Sequence, residues 1–116
     1  MVWGKRHNKF NSSSCQYGGR SFHSRKEAGD AMWLDDLIRQ GKVVKVENQF
    51  KIDIRVNGIH ITNHYVDFRV TLPDGRVKYM ETKGFPTPEW IIKQRLCEAT
   101  SDIPYLVNPL EKELLA

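Results

Sequence analysis

From residue 50 the chain alternates. Phe50, Ile52, Ile54 and Val56 are apolar, and the charged Lys51, Asp53 and Arg55 lie between them. A period of two puts the apolar set on one face of a strand, so a strand is predicted over 43–56. Asn57-Gly58 is the strongest two-residue hairpin signal, and it returns the chain as a second strand from Ile59 to about Leu72. Pro73-Asp74-Gly75 predicts the next turn, followed by a third strand from Arg76 to about Lys83. Upstream the period lengthens. Glu27, Ala31, Leu34 and Ile38 share one helical face, and Ser24 with Glu27 forms an S-x-x-E capping box. Gly41 supplies a stop, so a helix is predicted over 24–40. Gly84-Phe85-Pro86 breaks the chain. Thr87 then caps a second helix, with Pro88 at its first position and Ile92, Leu96 and Ala99 on one face. Residues 104–108 read as a short strand, and Pro109 onward as a last helical turn. Residues 1–20, including SSSCQYGG, show no period and read as an irregular, flexible arm. The element order is α-β-β-β-α-β, an α/β chain with an arm (1–20), a core (21–108) and a tail (109–116).

One break in the pattern stands out. Ile59 and Ile61 have the parity of Asp67, whereas Val66 and Phe68 have the other. The apolar face therefore switches near Asn63-His64-Tyr65, where a β-bulge is expected.

Composition narrows the class. A chain of 116 residues, 40% of them hydrophobic, suits one domain with a modest core. No run of 18 apolar residues occurs, so no membrane span is expected. The opening MVWGKRHNKF lacks the apolar stretch of a secretory signal, and a soluble, cytoplasmic protein is expected. Cys15 and Cys97 have no second Cys or His at zinc-ligand spacing and read as reduced thiols. The net charge of +4 is unevenly spread. The first 26 residues carry Lys5, Arg6, Lys9, Arg20, Arg25 and Lys26 and no acid, while the other 90 hold 12 basic and 14 acidic residues. A basic arm on a near-neutral body suits attraction to nucleic-acid phosphates. A solubilising tail has the same composition.

Candidate chemistry follows from the second hairpin. Pairing Leu72 with Arg76 across the turn sets Asp67 opposite Glu81, with Cβ atoms about 4.5–5.5 Å apart. Like charges so placed destabilise a sheet unless a divalent cation lies between them, and Mg²⁺ favours carboxylate oxygens plus water. Lys83, two residues beyond Glu81, falls on the same face. Two carboxylates, the Thr82 carbonyl and an ammonium are the parts that phosphodiester hydrolysis needs.

Asp67 followed by Glu81-Thr82-Lys83 resembles the D…(D/E)-x-K signature of PD-(D/E)XK nucleases, although Val66 stands where that signature has Pro. The helix segment Ser24-Arg25-Lys26-Glu27-Ala28 resembles the motif that adds an acidic ligand in several branches, among them phage endonuclease I-type Holliday junction resolvases. Gln49, Asp67-Phe68, Glu81-Thr82-Lys83-Gly84 and Lys93 resemble the pattern of small phage and prophage nucleases of this fold, over roughly residues 17–108. The resemblance implies a restriction-endonuclease-like core with a central mixed sheet flanked by helices. It also implies a Mg²⁺-dependent endodeoxyribonuclease, with Mn²⁺ able to substitute. Asp67, Glu81, Thr82 and Glu27 would hold metal, Lys83 would assist the attacking water, and Gln49 would be accessory. DNA, including branched DNA, is the implied partner, a homodimer the implied assembly, and the cytoplasm of a host cell the implied location if the protein is phage-encoded. Lys5, Arg6, Lys9, Arg20, Arg25, Lys26 and Lys93 are the candidate nucleic-acid contacts.

Each residue has a plainer reading. Glu27 is also a helix cap, Gln49 a polar strand residue and Lys93 a solvated helix lysine. Glu81 and Lys83 singly suit a charged edge, and Asp67 suits a salt bridge to Lys83. The rival functions are a non-catalytic nucleic-acid-binding module of this fold, and a nuclease acting on RNA or on phage packaging DNA.

Overall fold

The computed structural model describes residues 15–17, 20–22 and 24–116. Two short strands, β1 (Cys15–Tyr17) and β2 (Arg20–Phe22), pair antiparallel. Helix α1 spans Arg25–Arg39, followed by β3 (Lys45–Val56), β4 (Ile59–Thr71) and β5 (Val77–Glu81). Helix α2 (Pro88–Thr100), β6 (Tyr105–Val107) and α3 (Glu111–Leu115) complete the chain. From α1 to β6 the expected order holds. At residues 15–17 and 20 the pairing of β1 with β2 takes the place of the irregular chain expected there, because three-residue strands are too short to show a period, and the rest of the expected arm (1–14, 18 and 19) lies outside the described residues. The candidate contacts Lys5, Arg6 and Lys9 lie outside the described residues.

The main sheet has the order β3-β4-β5-β6, antiparallel except for the parallel pair β5–β6. That parallel pair requires a crossover, and α2 supplies it. Consecutive residues of a strand face opposite ways, so Met80 and Tyr79 mark the two faces. Met80, Phe68, Val70 and Leu72 pack with Ala31, Leu34 and Leu37 of α1 and with Leu114 of α3. Tyr79, Ile52, Ile54 and Val66 pack with Cys97 of α2 and Tyr105. The architecture is an α/β fold with a four-stranded mixed sheet and helices on both faces. No described helix is long and apolar enough to cross a membrane.

The helix starts behave as their caps require. Ser24 Oγ accepts from Glu27 N at 3.1 Å, and Thr87 Oγ1 accepts from Trp90 N at 3.2 Å. Two apolar faces differ from expectation. On α1, Leu37 is buried and Ile38 is 36% exposed. The chain folds back at this end, with Lys42 N and Val43 N both donating to Leu37 O, and so covers the Leu37 side. On α2, Cys97 is the buried residue, and Trp90 and Leu96 pack beside it. Ile92 is 60% exposed.

Both hairpins keep their expected geometry. Asn57 and Gly58 have φ of 52° and 80°, the left-handed pair of a type I′ turn. At Pro73-Asp74-Gly75, Leu72 N donates to Arg76 O at 2.8 Å, and Gly75 adopts φ 91°. The register shift in β4 falls at Ile61, which the partner residues Ile54 and Arg55 bracket. This is earlier than Asn63-His64-Tyr65. Ile59 and Ile61 are 65% and 48% exposed, and the change of face that does occur is a different one, between Val66 and Phe68. Val46 and its partner Val70 serve the α1 core, whereas Phe50 and its partner Val66 serve the α2 core. Residues of one parity therefore change sides, and between them sits Gln49 at φ 49°. A left-handed residue interrupts strand alternation, and Gln49 does so beside Asp67.

Candidate active site

The candidate residues lie where the two faces meet. Phe68 pairs with Met80, so Asp67 and Glu81 stand opposite each other one step beyond the last paired residues of β4 and β5. Both are buried, at 7% and 5% exposure, and their side chains come within hydrogen-bonding contact. Asp67 Oδ2 accepts from Thr82 N at 2.8 Å, and Asp67 Oδ1 accepts from Gln49 Nε2 at 3.0 Å. The same Gln49 amide donates to Glu27 Oε2 at 3.1 Å. Glu27 is 4% exposed and enters from the α1 side. It is thus tied to Asp67 through an amide, which explains why Gln49 takes its left-handed backbone: that geometry turns an otherwise outward strand residue toward both carboxylates.

Glu81 faces the α2 side. Its Oε1 accepts from the Tyr105 hydroxyl at 2.8 Å. The same hydroxyl lies 2.7 Å from His64 Nε2, and that nitrogen is 3.9 Å from Glu81. Burial pushes the Glu81 carboxyl up to about 8, and the Asp67 charge adds to the rise. Tyr105 hydrogen bonding and the Lys83 charge oppose it. Near neutrality Glu81 thus favours its protonated form. Burial lowers the pKa of His64 below its ordinary value, and the Lys93 charge lowers it further, which keeps the ring neutral.

Lys83 follows β5 on a short connecting segment. Its ammonium lies 5.1 Å from the Trp90 ring centroid, a cation–π placement, rather than in a salt bridge with Asp67. Asn108 holds its backbone at both ends, accepting from Lys83 N at 3.1 Å and donating to Lys83 O at 2.8 Å. Lys26 Nζ reaches the same Asn108 side chain at 3.0 Å. Lys93 pairs with Glu89 at 3.3 Å and lines a cleft of about 240 Å³ with His64, Tyr65, Thr87 and Trp90. Arg25 is exposed at the start of α1, and Arg20 is placed in β2 by its backbone.

Three contributors carry little signal in the sequence. Tyr105 and His64 act through contacts 24 and 41 residues apart, which no periodicity reveals. Asp30 Oδ2 accepts from Thr82 Oγ1 at 2.5 Å, steadying the Thr82 peptide. Its spacing from Glu27, one helical turn on the same face, is the one feature of the sequence that points to it.

Among the described residues, no group of three His, Cys, Asp or Glu side chains converges as a metal-holding set. Mg²⁺ does not need one, since it binds through one or two carboxylates and keeps several waters. The donor chemistry of Asp67 and Glu81 fits such an ion. They are two buried carboxyls side by side, and a divalent cation would relieve the repulsion that helps raise the Glu81 pKa. No protein-family model matches the chain, and no curated protein matches it.

Proposed function

We propose that the chain is a Mg²⁺-dependent endodeoxyribonuclease with a PD-(D/E)XK-type site on a restriction-endonuclease-like core. The observation that carries this reading is the burial of Asp67 against Glu81, with the Lys83 charge near enough to act on Glu81. A protein that needed only a stable sheet edge would gain nothing from two carboxylates that repel.

Asp67 and Glu81 would hold the ion, with the Thr82 carbonyl as the third protein oxygen. A bound Mg²⁺ would neutralise charge developing on a phosphodiester and acidify its water. The residues of the chain prepare that site. Thr82 N–H and the Gln49 amide fix both oxygens of Asp67. Gln49 also orients Glu27, which is placed to order water or a second ion. Lys83, with its backbone held by Asn108, offers a cation to the attacking water and to the phosphate. Lys93 and the exposed Arg25 and Lys26 supply charge for the backbone of the nucleic acid, and the basic residues Lys5, Arg6 and Lys9 add to that attraction. Branched DNA and a homodimeric enzyme remain part of this proposal by resemblance alone.

The substrate class is tested by offering end-labelled four-way junction, linear duplex DNA and RNA in Mg²⁺. Cutting of DNA that leaves 5′-phosphate termini supports the reading. Cutting of RNA alone places the protein in another nuclease class. Tight binding of all three without cutting, in Mg²⁺ and in Mn²⁺, favours a non-catalytic binding module.

A further inference from the structure

We infer that His64 and Tyr105 are positioning residues that hold the Glu81 carboxylate ready for a divalent cation. This rests on the reading of Asp67 and Glu81 as the cation-binding pair.

The three side chains form a buried chain, with His64 at 5%, Tyr105 at 8% and Glu81 at 5% exposure. Proton counting fixes its direction. A tyrosine hydroxyl has one proton. With Glu81 ionised, as a bound cation requires, Tyr105 donates it to Glu81 Oε1 at 2.8 Å, so the 2.7 Å contact with His64 is satisfied only if His64 Nε2–H donates to the hydroxyl oxygen. The chain therefore runs from His64 through Tyr105 to Glu81, each donor strengthening the next. The Tyr105 ring is also gripped from two sides. Its centroid lies 5.9 Å from that of His64 and 6.2 Å from that of Tyr79, the latter edge-on at 65°. Tyr105 comes from β6 and His64 from β4, on either side of β5, so the hydroxyl is placed by the sheet.

A glutamate is flexible, and ordering it when a cation arrives costs affinity. A carboxylate already held by a rigid donor avoids that loss. Removing such an outer partner typically weakens metal binding or activity by about 10–100-fold.

The test is calorimetric titration of Mn²⁺ into the metal-free protein, with folding of each variant checked by near-UV circular dichroism. The panel is wild type, Asp67→Asn, Tyr105→Phe, His64→Leu and His64→Gln. The amide nitrogen of Gln reaches the place of His64 Nε2 and can donate as it does. Asp67→Asn should lose the site. Tyr105→Phe and His64→Leu should bind Mn²⁺ about 10–100-fold more weakly, and His64→Gln should return toward wild type. If Tyr105→Phe does not fold, the His64 pair decides the matter. Wild-type affinity in folded His64→Leu, with Asp67→Asn still inactive in binding, would overturn the positioning role and leave the cation site standing. Failure of the wild type to bind Mn²⁺ would overturn both.

Discussion

Asp67 and Glu81 face each other at the end of the β4–β5 ladder, both buried and in hydrogen-bonding contact. Each of their named partners can be traced to a backbone event. The Pro73-Asp74-Gly75 turn sets the register, the left-handed Gln49 brings in an amide from β3, and the parallel strand β6 brings in Tyr105.

Stability in the absence of metal should depend on pH through Glu81. Its pKa rises on folding from 4.5 to about 8. The folded state therefore binds the proton more tightly than the unfolded state. The stabilisation is fully present below the ordinary carboxylate range and is lost as pH rises through about 8. In EDTA, Tm followed by calorimetry should fall across that window, and Glu81→Gln should flatten the slope. An equal slope in Glu81→Gln would locate the effect elsewhere.

Divalent cations should reverse this trend. A cation and the Glu81 proton compete for the same oxygens, so Mg²⁺ or Mn²⁺ should raise Tm more at pH 8 than at about pH 6. At a concentration 100 times Kd the gain should approach about 2.7 kcal/mol. Asp67→Asn should abolish it.

Gln49 offers a separation of backbone from side chain. Gln49→Ala and Gln49→Gly both delete the amide that joins Glu27 to Asp67, so both should lower the cleavage rate substantially. Ala must also hold φ near 49°, which glycine does freely. The Gly variant should therefore be the more stable, by roughly 1 kcal/mol. Urea denaturation checks this, and a more stable Ala variant would contradict the role given to the left-handed backbone.

Positive charge in the first nine residues should appear in the salt dependence of DNA binding. Replacing Lys5, Arg6 and Lys9 by Ala should weaken binding to all DNA sequences alike. It should also reduce the slope of log K against log salt, by up to about 0.9 for each phosphate no longer neutralised. Fluorescence anisotropy at several salt concentrations measures it, and an unchanged slope would leave these charges a solubilising role only.

Much of the sheet was legible because turns carry their own chemistry. Asn57-Gly58 and Pro73-Asp74-Gly75 each specify one geometry, and the second fixes Asp67 opposite Glu81 from sequence alone. Ser24 and Thr87 mark their helix starts for the same local reason. What escaped depends on distant packing. Leu37 rather than Ile38 is buried because residues 42 and 43 fold back over it. The broken alternation along β4 reflects the register shift at Ile61, whereas the change of face beside Gln49 separates Val66 from Phe68 and Val70, residues of one parity, and so left no mark on the pattern. His64 and Tyr105 meet only because β4 and β6 flank β5.

The central claim is cleavage by this particular set of side chains. Supercoiled plasmid incubated with the protein in Mg²⁺ or in EDTA, beside Lys83→Ala, tests it most directly. Nicked and linear products that require Mg²⁺ and disappear in a folded Lys83→Ala variant are the expected result. Plasmid left intact by the wild type in both Mg²⁺ and Mn²⁺, or cut equally by Lys83→Ala, would contradict it.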